Sequence, residues 1–166
     1  VRIPPHQVDT IQNLENSEIH LFHDGIWENL FLNNKSNRSI SYRGSASSIS
    51  VFNEGEGDTS LFGSATNLSI TAMGAGSIHA FEFPSHSIDV ELMGEGDIDI
   101  YLQQQENELP PYGVFGILTG SGTLSIISDP TVTVGSSLIE VSNSGTGTIS
   151  LLCLEENPPE QCESFN

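Results

Sequence analysis

The 166-residue chain carries 22 acidic residues against four basic ones, a formal charge of −18 at pH 7. That balance excludes nucleic acid and anionic membrane surfaces as partners, because phosphate binding needs clustered Lys and Arg. Sixteen glycines, abundant Ser and Thr, and no long apolar run predict one all-β domain over residues 1–166 without a membrane-spanning helix.

The chain begins at Val1, which reads as a mature or excised segment. Residues 1–44 read as N-terminal strands and a cap. Ile19-His20-Leu21-Phe22, then Asp24-Gly25, then Ile26 to Leu32 predicts two strands around a turn. Trp27, the single tryptophan, is expected to pack at the end of the fold. His20, His23 and Asp24 form the one metal-like spacing. On a strand, residues three apart face opposite sides, so a surface role is favoured. Asn34-Lys35-Ser36, Asn37-Arg38-Ser39 and Asn67-Leu68-Ser69 match the N-glycosylation pattern, near chance in so Asn- and Ser-rich a chain.

Residues 45–152 hold five Gly-x-Gly copies, at Gly55/Gly57, Gly74/Gly76, Gly94/Gly96, Gly120/Gly122 and Gly145/Gly147. Alternating apolar and polar residues flank each copy, the period of a half-buried strand. Each repeat is strand, glycine bend, strand, loop, and the glycines are expected to supply positive φ at a tight corner. Superimposed, the repeats give three apolar columns. One reads Thr59, Ile78, Ile98, Leu124, Ile149; a second Leu61, Ala80, Ile100, Ile126, Leu151; a third Ile49, Leu68, Ile88, Val114, Ile139. Only stacked coils place such residues one above another at ~4.8 Å. The prediction is a parallel β-helix with coils of about 20–25 residues.

Three details follow from the stacking. His79 and Asp99 fall side by side on the outer face. Phe62, Phe81 and Tyr101 form an outward aromatic ladder. Two stretches, 103–113 and 128–137, lengthen successive coils and are expected to protrude at one corner. Residues 153–166 form a C-terminal cap or tail, in which Cys153 and Cys162 are read as a disulfide; free cysteines are the competing reading.

The Gly-Glu-Gly-Asp stretches raise a calcium reading. Asp58 and Asp97 would lie two coils apart, ~10 Å, too far to share one ion. No cofactor and no metal is therefore expected. No acid–base constellation emerges either, so catalysis is not expected.

The stretches NEGEGDTSLFG, AMGAGSIHAF, LMGEGDIDIYL, LTGSGTLSII and SNSGTGTISLL resemble the GIN-type head domain of auto-transporter adhesins. The resemblance covers residues 45–152, and 8–44 more loosely. It implies a right-handed β-solenoid at a bacterial surface or envelope and brings no reaction. The expected role is non-catalytic, structural or adhesive, extracellular or at the cell surface, with self-assembly or another surface protein as partner. The alternative is a carbohydrate-binding module of the same fold, with a glycan as partner.

Overall fold

The computed structural model describes residues 10–102, 113–128 and 139–153. The strands are β1 (Thr10–Asn13), β2 (Ile19–Asn34), β3 (Ile40–Asn53), β4 (Thr59–Ala72), β5 (Ile78–Glu82), β6 (Ser85–Leu92), β7 (Ile98–Leu102), β8 (Gly113–Leu118), β9 (Thr123–Ser128), β10 (Ile139–Asn143) and β11 (Thr148–Cys153). Every pairing among them is parallel. A parallel ladder between repeats about twenty residues apart leaves stacked coils as the architecture. A barrel of hairpins would have paired antiparallel.

Each coil has two legs. The first runs along the start of β2, β3 and β4, then β5, β7, β9 and β11. The second runs along the end of β2, β3 and β4, then β6, β8 and β10. The glycine corner joins a second leg to the next first leg.

The apolar columns stack as the sequence spaces them. Ile40, Thr59, Ile78, Ile98, Leu124 and Ile149 pair in succession along the first leg. Leu30, Ile49, Leu68, Ile88, Val114 and Ile139 do so along the second. These aliphatics meet between the legs, and most are no more than 1% exposed. Removing one such side chain from water contributes about 1.5–3 kcal/mol, so the column supplies the main cohesion of each coil.

Four expectations need correction. The first concerns Asp24-Gly25, which makes no hairpin. It sits at a register irregularity inside β2, which lies parallel on β3 from Ile19 to Asn34. The stacking gain of a parallel coil outweighs the local turn signal there.

The second concerns the repeat glycines. Gly55, Gly57, Gly74, Gly76, Gly94, Gly96, Gly120, Gly122, Gly145 and Gly147 do not have positive φ; among the described residues only Gly63 does, at 128°. They are glycines because a Cβ on each would run into a carbonyl one coil earlier. Gly55 would meet Ser36 O, and Gly57 would meet Arg38 O. The first-glycine row continues with Gly74 on Gly55 O, Gly94 on Gly74 O, Gly120 on Gly94 O and Gly145 on Gly120 O. The second-glycine row runs Gly76 on Gly57 O, Gly96 on Gly76 O, Gly122 on Gly96 O and Gly147 on Gly122 O.

The third is the Phe62–Phe81–Tyr101 ladder, which is broken. Ser60 pairs with His79 but Phe62 pairs with Glu82, so β5 carries an extra residue. Phe81 is displaced, and Phe83 enters the core edge-on to Tyr42 at 6.2 Å. Finally, the repeat begins before residue 45: Asn34-Lys35-Ser36-Asn37-Arg38 lies under Asn53-Glu54-Gly55-Glu56-Gly57 as one more corner.

Trp27 is buried in the first coil, 5% exposed, beside Leu21, Leu30 and Tyr42. Burial pushes the Tyr42 hydroxyl up to about 12. The long insertions fall largely outside the described residues, as do the tail after Cys153 and the expected Cys153–Cys162 pairing. The insertions' anchors are described: Leu102 pairs with Ser128, and Val114 with Ile139, so both depart from and return to neighbouring positions.

Candidate functional site

The glycine corner is a groove. Its floor is the first glycine of the first four copies: Gly55, Gly74, Gly94 and Gly120. One wall is the residue before it: Lys35, Glu54, Met73, Met93 and Thr119. The other wall is the residue between the glycines: Asn37, Glu56, Ala75, Glu95, Ser121 and Thr146. Leu14 and Asn16 stand at the N-terminal mouth, and the groove, open to solvent along its length, has a volume of about 960 Å³.

Backbone hydrogen bonds hold the corners in register. Glu54 N–H donates to Asn34 O, Met73 to Asn53 O, Met93 to Ala72 O and Thr119 to Leu92 O, each at 2.8 Å. A second row runs through the turn, where Glu95 N–H donates to Gly74 O at 3.0 Å and Ser121 N–H to Gly94 O at 3.1 Å. Gly122 N–H donates to Gly94 O of the preceding coil at 3.4 Å, and its own carbonyl accepts Thr148 N–H at 3.2 Å. The corner therefore cannot slip along the axis without breaking both rows.

Buried asparagines fasten the corner from inside. Asn13, Asn34 and Asn53 stack in one column, 0–2% exposed. Asn34 Nδ2 and Asn53 Nδ2 each donate to Gly57 O at 2.9 Å. In the last coil Asn143, there exposed, makes the same bond from Nδ2 to Gly147 O at 2.9 Å. Sequence reasoning missed this ladder, although Asn34 and Asn53 share the repeat spacing. It also removes Asn34 as a glycosylation acceptor, because its amide is fully buried and bonded.

Asp58 and Asp97 face the end of each turn. Ser77 N–H donates to Asp58 Oδ1 at 2.9 Å, and Thr123 N–H donates to Asp97 Oδ1 at 2.7 Å. Between them, Asp97 N–H donates to Ser77 Oγ at 3.2 Å. The carboxylates act on the backbone of the next coil. Among the described residues no cluster of three or more His, Cys, Asp or Glu is placed to hold a metal.

At the N-terminal end of the groove, Lys35 Nζ lies 2.9 and 3.0 Å from the two oxygens of Glu54. Asn33 Nδ2 donates to Glu54 Oε1 at 3.1 Å. The Lys35 hydrogen bond, then that of Asn33, holds the Glu54 carboxyl below its usual range. Among the described residues Lys35 is the one basic residue lining the groove, against Glu54, Glu56 and Glu95.

On the outer face of the first leg, His79 Nδ1 lies 2.8 Å from Asp99 Oδ2, the pairing expected from the sequence. Phe81 stacks on the His79 ring at 6.0 Å and 16°. Ser60 is next in the column, but no hydrogen bond joins it to His79 among the described contacts, so no relay for nucleophilic attack is formed. His20 and His23 do not converge. His20 lies 3.4 Å from Glu18, and His23 Nδ1 accepts the Gly25 N–H at 2.9 Å.

A family model described as "Putative auto-transporter adhesin, head GIN domain" matches residues 1–107. Among solved structures, the chain is similar to a crystal structure described as a putative adhesin from Bacteroides fragilis NCTC 9343. The TM-score is 0.66 at 20% identity, over 81% of this chain and 56% of that one. The match therefore spans little more than half of that protein's length, and at this identity it bears on the fold. No curated protein matches.

Proposed function

The chain belongs to the auto-transporter adhesin head GIN domain family, and from that premise we propose a non-catalytic, adhesive protein of the cell surface or exterior. It would attach by self-association or by contact with another surface protein. One observation carries this reading. Among the described residues, β10 and β11 have a strand partner on one side only, as does the first leg of β2. Unpaired sheet edges are templates for pairing with another chain. No described helix is long and apolar enough to cross a membrane.

The charge of −18 sets the condition for assembly. Copies repel at low ionic strength, and salt or divalent ions screen that repulsion. Calcium would act here as a screening ion. Sedimentation at low and high salt tests the assembly, with association rising with salt as the expected result. A chain that stays monomeric throughout and binds no surface protein contradicts it. In an oxidising exterior a Cys153–Cys162 bridge would pin the tail; two titratable thiols on the native protein would refute it.

A glycan-binding reading has one observation in its favour. Phe81 is 41% exposed and stacks beside the His79–Asp99 pair, an apolar ring next to polar groups. Saturable glycan retention lost in Phe81→Ala would support it.

A further inference from the structure

Two exposed methionines share one wall of the groove. Met73 and Met93, the only methionines of the chain, precede the first glycine on successive coils and are 51% and 38% exposed. Methionine is usually a core residue; where it is exposed, its unbranched thioether adapts to the side chains of partners. Leu14, 60% exposed, stands at the mouth of the same groove.

The facing wall carries two acidic residues. Glu56 and Glu95 stand on either side of Ala75, and neither has an ion-pair partner among the described residues. The one lining cation among the described residues, Lys35, is engaged by Glu54. At its centre the groove thus offers two methionines on one wall and two glutamates on the other, separated by a glycine floor. A floor without Cβ atoms lets an extended backbone approach closely. The coil ladder makes the groove continuous along the axis, so an extended segment can lie along it. A second copy, itself at −18, is the wrong sign for such a seat.

We propose that the glycine-corner groove docks an extended polypeptide segment of a partner protein that alternates basic and apolar side chains. Its Lys or Arg residues face Glu56 and Glu95, and its apolar residues rest on Met73 and Met93. This names the partner chemistry within the adhesive reading above and rests on it. Complementary charge gives such a contact its specificity and its salt dependence.

The test titrates the folded chain into a labelled synthetic peptide of alternating Lys and Leu. Saturable one-to-one binding that weakens with added salt is expected. Ala75→Trp fills the groove without changing charge and should weaken binding at least about tenfold, roughly 1.4 kcal/mol. Met73→Ser with Met93→Ser should weaken it to a similar degree. Asp89→Asn with Glu91→Gln removes two exposed charges on the outer face of the second leg and should change affinity less than about twofold. Thermal melting of each variant establishes that it is folded. Equal losses from the Ala75→Trp and Asp89/Glu91 variants would reduce the binding to the general field of the protein and overturn the proposal, as would absence of saturable binding. Salt separates this site from self-association, which strengthens as salt rises. A chain that attaches to surfaces but ignores the peptide overturns the groove alone. A chain that binds the peptide through the groove but attaches to no surface overturns the adhesive reading alone.

Discussion

Asp97 Oδ1 accepts the backbone N–H of Thr123, one coil further along, at 2.7 Å. Asp58 does the same for Ser77 at 2.9 Å, and Ser77 in turn accepts Asp97 N–H at 3.2 Å. An oxygen-bearing side chain after the second glycine therefore carries the ladder from Asp58 through Ser77 and Asp97 to Thr123. That explains why this position can change between Asp and Ser, each of which offers an acceptor; beyond Thr123 the Thr148 N–H goes to the Gly122 carbonyl instead.

Asp97→Ala removes the acceptor and should cost about 1 kcal/mol of stability. Asp97→Asn keeps an oxygen and should retain most of it. Denaturant midpoints of the two variants measure the difference. Calcium should shift wild type and Asp97→Asn equally. A calcium shift that disappears in Asp97→Asn would show that the carboxylate holds an ion instead.

Gly94 tests the close approach of coils. A Cβ at this position runs into Gly74 O, a backbone atom that cannot swing away. Gly94→Ala should cost about 3 kcal/mol or more, at or beyond the upper end of ordinary overpacking. Gly25→Ala is the comparison. Its Cβ meets the end of the His23 ring, which can rotate, and it should cost no more than about 1 kcal/mol. Similar losses in both variants would mean that the corner has room to relax.

Thr59 occupies an aliphatic column between Ile40 and Ile78, fully buried, with Oγ1 lacking a hydrogen-bond partner. Thr59→Val keeps the shape and removes an unsatisfied hydroxyl. It should stabilise the protein by about 1 kcal/mol, the low end of the cost of burying such a group. A lower melting temperature for Thr59→Val would contradict the packing described.

Glu54 gives a pH dependence of defined sign. Its carboxyl is held below the usual range by Lys35 and then by Asn33. A lowered folded value means that its contribution is present above the unfolded carboxylate pKa. The contribution is lost as pH falls through the folded value. Lys35→Met should move the Glu54 titration upward in NMR and shrink that acid-side dependence. An unchanged titration would show that the pair is not formed in solution.

The core was legible because two periods coincide. The alternation of Ile78, Ala80 and of Ile98, Ile100 sets the inward face, and the glycine spacing sets which residues stack. What stayed hidden depends on relations that sequence does not carry. Gly-x-Gly reads equally as positive φ or as close approach. Only the carbonyls of Gly74 under Gly94 and of Gly96 under Gly122 decide between them. Asp24-Gly25 is a sound local turn signal that long-range stacking on β3 overrides. Nothing in Phe81-Glu82-Phe83-Pro84 marks the extra residue that turns Phe83 inward. The groove was hidden in plain letters. Met73 and Met93 precede their glycines by one residue each, but the apolar row has meaning only once the corners stack.

Retention of chain-coated beads on bacterial cells tests the adhesive account most directly, with beads carrying an equally acidic protein of another fold as the comparison. The account predicts retention specific to the solenoid and lost when the chain is unfolded, with no chemical change in the surface it holds. Retention no better than the acidic comparison at any salt would contradict it, as would turnover of a surface glycan or peptide that vanishes on a single side-chain change.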